Sequence, residues 1–113
     1  MVDINRKEQL EQELSRITAL LIQRYAPERV ILFGSLARGD VHEWSGIDLA
    51  IVKETPARFI DRIGDVLYLT RPQIGVNIVV YTPNEVLQME RTAHYFWMDE
   101  IVGKGKALYD RAS

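Results

Sequence analysis

The segment Arg29-Val30-Ile31-Leu32-Phe33-Gly34-Ser35-Leu36-Ala37-Arg38-Gly39-Asp40 passes from an apolar run into a polar, glycine-bounded one within a few residues. Arg29 to Phe33 suits a strand buried on both faces, because it shows no polar alternation. Gly34-Ser35 ends that run and opens a short helix, and Gly39 closes it. From Gly39 to Gly46 the chain is polar and reads as a loop. Ile47-Asp48-Leu49-Ala50-Ile51-Val52 then gives a second buried strand whose one charge is Asp48.

Upstream, Leu10, Leu14, Ile17, Leu21 and Tyr25 recur at steps of three and four, which predicts an amphipathic helix ended by Pro27. Downstream, Thr55 as N-cap and Pro56 at the first helical position predict a helix carrying Phe59, Ile60, Ile63, Val66 and Leu67 on one face. Arg71 to Gly75 is a turn, and Val76 to Tyr81 a third strand. Thr82 and Glu85 have capping-box spacing for a helix to about Glu90. His94 to Val102 reads as a short helix stopped by Gly103, and Ala107-Leu108-Tyr109 as an edge strand. Helices and strands alternate, so the expected class is α+β, a two-layer sandwich with a small mixed sheet and helices packed on it, in a single domain over 1–113.

Composition narrows the chemistry. At 113 residues there is room for one domain, and a net charge of −2 is not the bulk charge of a protein that coats nucleic acid or anionic membrane. No nucleic-acid or membrane partner is expected. The absence of cysteine removes disulfides, thiolate nucleophiles and zinc-thiolate sites. Carboxylates, hydroxyls, two histidines and backbone remain. Met1 to Gln9 is polar and charged, and no apolar run reaches the roughly 18 residues needed to span a bilayer. An intracellular, cytoplasmic protein is expected.

The strand-to-helix junction at Gly34-Ser35 exposes backbone N–H groups that attract phosphate; Ser35 adds a hydroxyl and Arg38 a fixed positive charge. Gly34 and Gly39 have Walker A spacing, but Asp40-Val41 stands where Lys and Ser or Thr are required, which excludes a P-loop. The alternative is a plain N-cap turn that holds no ligand.

Gly34-Ser35, Ala37-Arg38-Gly39, then Ser45 and Ile47-Asp48-Leu49 resemble the signature of the minimal nucleotidyltransferases, single-domain members of the DNA polymerase beta superfamily. The similarity in layout runs from the first helix to about Tyr109. It implies a nucleotidyltransferase fold and an enzyme that moves a nucleoside monophosphate from ATP or another nucleoside triphosphate to a hydroxyl. It further implies that Gly34, Ser35, Arg38 and Ser45 bind the nucleotide. Three carboxylates on adjacent strands would hold two Mg²⁺ ions, with Asp48 as the catalytic acid and metal ligand. Two ions clamping the attacking and leaving oxygens suit hard carboxylate donors. Such proteins are similar in being paired with helical HEPN-domain proteins as the antitoxin half of prokaryotic toxin–antitoxin systems, where active members adenylylate the toxin.

Two positions depart from the resembled pattern. Gly46 stands where the first acid of the D-x-D pair belongs, and Asn77 stands where the third acid belongs, leaving Asp48 and a weak amide ligand. Losing two metal-binding carboxylates should cost at least ~10²-fold in metal affinity or rate. Two readings therefore stand: a nucleotide- or partner-binding module with a degenerate metal site, or an active Mg²⁺-dependent enzyme whose loop acids Asp40 and Glu43 complete the site and which transfers AMP to a protein hydroxyl. Trp44 would stack on a base, pack on its loop or meet a partner, and His42 is a solvated loop residue. Of the aromatic run His94 to Trp97, Phe96 or Trp97 is expected in the core. A HEPN-domain protein or a second copy of the chain would cover any exposed remainder.

Overall fold

A computed structural model of the chain describes residues 5–113. The first part of the polar Met1–Gln9 stretch, residues 1–4, lies outside the described residues. Helix α1, Arg6–Arg24, starts where the Asn5 side chain accepts from the Glu8 N–H at 2.9 Å and stops at Tyr25, before Ala26 at φ 51° and Pro27. Strand β1, Arg29–Phe33, leads into the short helix α2, Gly34–Arg38. Strand β2, Ile47–Val52, pairs antiparallel with β1, and β3, Val76–Tyr81, pairs parallel with β2. A parallel pair needs a crossover, which helix α3, Phe59–Thr70, supplies. Helix α4, Pro83–Arg91, carries the expected capping box between Thr82 and Glu85. A π-helix over Phe96–Gly103 then returns the chain to β4, Lys106–Asp110, which lies antiparallel to β1 at the sheet edge. The sheet order is β3-β2-β1-β4, a mixed α+β arrangement as the element pattern predicts.

Strand alternation divides the core. Val30, Leu32, Ile47, Leu49, Ile51, Ile78 and Val80 face the larger cluster, with Leu10, Ile17 and Leu21 of α1 and Val66 of α3. The intervening residues Ile31, Ala50 and Val52 face a smaller cluster with Val86, Trp97 and Ile101. Trp97 is fully buried, edge-on to Tyr81 at 5.7 Å, while Tyr95 is 64% exposed, so one aromatic of the run supplies the core as expected.

Helix α3 departs from its predicted start and face. It begins at Phe59 after Arg58, and the Thr55 hydroxyl accepts from the Ala57 N–H at 3.1 Å in a preceding turn instead of capping the helix. Its buried residues are Arg62, Val66 and Thr70, whereas Phe59, Ile60 and Leu67 are exposed. The cause is Arg62, whose guanidinium donates to the Ala57 carbonyl at 2.8 Å, the Val80 carbonyl at 3.1 Å and Glu85 at 2.7 Å. A buried charge so fully paired holds its side of the helix inward.

Among the described residues Glu13 is the other buried charge. Both of its carboxylate oxygens accept from one edge of the Arg16 guanidinium, Nε and Nη2, at 2.7 and 2.8 Å, and one also accepts the Gln73 N–H at 2.6 Å, while Arg16 donates onward to the Thr70 and Arg71 carbonyls. This clamp ties α1 to the turn before β3. The Arg16 hydrogen bonds hold the Glu13 carboxyl below its ordinary value of 4.5. A carboxyl depressed in the folded state contributes stability above its unfolded pKa and loses it as pH falls through the folded value. Thermal melts should therefore show stability declining below about pH 4.5, and Glu13→Gln should cost about 1–3 kcal/mol at pH 7 and flatten that decline. Glu85 supplies a further share: burial raises its pKa, but hydrogen bonds from Arg62 and the Thr82 N–H outweigh it and leave it lowered.

Candidate active site

The site is built where β1 turns into α2 beside the start of β2. Gly34 takes φ +77°, which favours glycine, and its Cα lies so close to the Asp48 carboxylate that an added Cβ would stand 2.8 Å from Asp48 Cγ. Register places Asp48 opposite Phe33 on one side and Asn77 on the other. The Asn77 amide donates to Asp48 Oδ1 at 2.8 Å. The structure thus brings Gly34, Asp48 and Asn77, three positions of the resembled pattern, together.

Ser35 and Ser45 also meet, their hydroxyls 2.9 Å apart. Ser45 is only 3% exposed: its Oγ accepts from the His42 N–H at 2.9 Å and its carbonyl from Arg6 Nε at 3.0 Å. It therefore braces the 39–46 loop against the turn and α1, leaving Ser35 as the more accessible hydroxyl. Arg38, one turn beyond, lies 3.5 Å from Asp40 and 3.8 Å from Glu100 of the π-helix, so its charge is shared between two acids. Trp44 is 83% exposed, which rules out packing on its own loop.

The donor set does not fit a pair of divalent cations. Asp48 brings one carboxylate, and Asn77 turns an N–H toward it. Asp40 and Glu43 are exposed, Asp40 being paired with Arg38. Among the described residues no three of His, Asp and Glu come together as a metal-holding group. Position 46 is closed as well, since a Cβ there would lie 2.6 Å from the Gly75 carbonyl oxygen, which accepts the Ile47 N–H at 3.0 Å. Gly75 and Glu100 are the site neighbours that sequence did not reveal. Gly75 belongs to a turn positioned by the α3 crossover, and Glu100 to a π-helix whose wider spacing alters which side chains face α2.

A mixed sheet whose Gly-Ser turn abuts an acid on the adjoining strand defines a nucleotidyltransferase-like domain. The chain belongs to the family "Polymerase beta, Nucleotidyltransferase", whose model matches residues 15–113. Among curated proteins none matches the sequence. Among solved structures it is similar to a protein of Sulfolobus solfataricus, provisionally described as a nucleotidyltransferase, at a TM-score of 0.61 and 20% identity over 95% of this chain and 86% of that one. At that identity the likeness concerns the fold. Among the described residues no helix is long and apolar enough to cross a membrane.

Proposed function

We infer that the chain is a binding module built on the nucleotidyltransferase frame, with a degenerate metal site and little or no transferase chemistry. The observation that carries this reading is the Asp48 pair: its neighbour on β3 is an amide donating at 2.8 Å, and position 46 is held as glycine by the Gly75 carbonyl. Family membership supports a nucleotide ligand, taken by Gly34, Ser35 and Arg38, with Ser45 holding the loop. Mg²⁺ and a nucleoside triphosphate are what the family generally uses. Here the side chains supply too few carboxylates for the metal pair, so no metal-dependent step is assigned. The resemblance to minimal nucleotidyltransferases supports an antitoxin-type role beside a HEPN-domain protein, and the exposed Trp44 offers that partner or a nucleobase an aromatic face.

With labelled ATP and Mg²⁺, no AMP should appear on a co-purified helical partner. Label on that partner that vanishes in Asp48→Asn would establish the active transferase instead. Calorimetric titration with ATP should show Mg²⁺-independent binding that Ser35→Ala weakens about 10- to 150-fold, the share of one hydrogen bond to a charged oxygen. Tight binding indifferent to Ser35 would place the nucleotide elsewhere.

A further inference from the structure

Helix α3 turns its apolar side outward. Ile60 is 71% exposed, Tyr68 76% and Leu67 38%, and an added Cβ at Gly64 would meet nothing within 4 Å. These residues, spaced by three, four and eight, lie opposite the buried Arg62, Val66 and Thr70 and form one stripe. Asp61 stands beside the stripe near its N-terminal end, and Arg71, the C-cap, at its other end ten residues on, about 15 Å along the axis.

We propose that this face is the contact between two copies of the chain, paired antiparallel about a two-fold axis that crosses the exposed stripe between Gly64 and Tyr68, level with position 66 along the helix. The charge order selects the second copy as occupant. Antiparallel pairing sets Asp61 of each copy against Arg71 of the other, twice, whereas parallel pairing would oppose like charges. The same axis sets each Tyr68 over the opposite Gly64, because both lie two residues from the centre; with no Cβ at Gly64, the ring can lie close to the helix backbone. Within one copy the Arg71 guanidinium already rests over the Tyr68 ring at 5.3 Å, so the ring and the charge are presented together. Asp61, half-exposed and bonded to Arg58, has a second carboxylate oxygen for the incoming arginine. Ile60 and Leu67 supply the apolar contact beside these pairs.

Sedimentation equilibrium of the full chain should show a dimer. Asp61→Arg and Arg71→Asp should each lower the association constant at least about tenfold, and an equimolar mixture of the two variants should recover it, since every cross-copy pair is then of opposite sign. Arg71 sits at φ 42°, a conformation aspartate tolerates, so the substitution suits the turn. Gly64→Leu, whose Cβ would meet nothing of its own chain within 4 Å and whose side chain would fill the gap beneath the opposite Tyr68, should be monomeric yet as helical as the parent by circular dichroism. A parent chain that stays monomeric to about 1 mM would overturn the proposal. So would a dimer that all three variants keep, or protection of α3 from hydrogen exchange that requires a different protein.

Discussion

Gly34→Ala will destabilise the chain by about 3 kcal/mol and lower its melting temperature by roughly 10–20 °C. Two costs combine at this position. The backbone stands at φ +77°, where an L side chain loses about 1–2 kcal/mol, and the new methyl would press on the Asp48 carboxylate, with Cγ only 2.8 Å away. Gly39→Ala separates the two, because Gly39 has φ +83° but nothing within 4 Å of its would-be Cβ. Thermal melts should show Gly39→Ala losing the backbone share alone. Equal losses at the two glycines would mean that contact with Asp48 carries no energy.

The second large effect concerns metal. Asn77→Asp will put a carboxylate where the amide now donates to Asp48 at 2.8 Å. Two like charges at that separation disfavour joint ionisation, so the variant should lose about 1–2 kcal/mol at pH 7 and recover it on acidification. Mg²⁺ should more than offset that loss, adding about 2.7 kcal/mol at a hundredfold excess over its dissociation constant, while leaving the parent melt unchanged. Gly46→Asp added to it should raise Mg²⁺ affinity a further ~10²-fold if the turn relaxes. That relaxation is the obstacle: the Gly75 carbonyl lies 2.6 Å from the new Cβ and is itself bonded to the Ile47 N–H, so Gly46→Asp alone should cost about 2–3 kcal/mol. Differential scanning fluorimetry with and without Mg²⁺, followed by AMP-transfer assays on the double variant, reads each stage. A parent melt that rises with Mg²⁺ would contradict the proposed loss of metal binding.

The elements around Gly34 were legible in the sequence because their signals are local. Apolar runs marked β1 and β2, Thr82 and Glu85 capped α4, and the family resemblance set position 77 beside Asp48, where the strand register has it. What escaped depends on partners far along the chain. No pattern within α3 reveals that Arg62 will be buried, since its acceptors are Ala57, Val80 and Glu85; hydrophobicity alone turns that helix the wrong way. Glu13 likewise becomes a core residue through Arg16 and the Gln73 N–H, sixty residues away. Gly46 looked like a lost acid, and only the crossover geometry shows a carbonyl occupying the space a side chain would need.

The division of the core across the two faces of the sheet bears on how much change this frame can absorb. Asp48 and Asn77 project toward the face of the smaller cluster, while the larger one, clasped by α1 and α3, lies behind the sheet. Substitutions at the chemical face therefore leave most of the buried apolar area untouched. A chain organised in this way can exchange single side chains at its chemical face while the larger apolar cluster stays in place, so persistence of the architecture in a relative is no guarantee that the reaction persists with it.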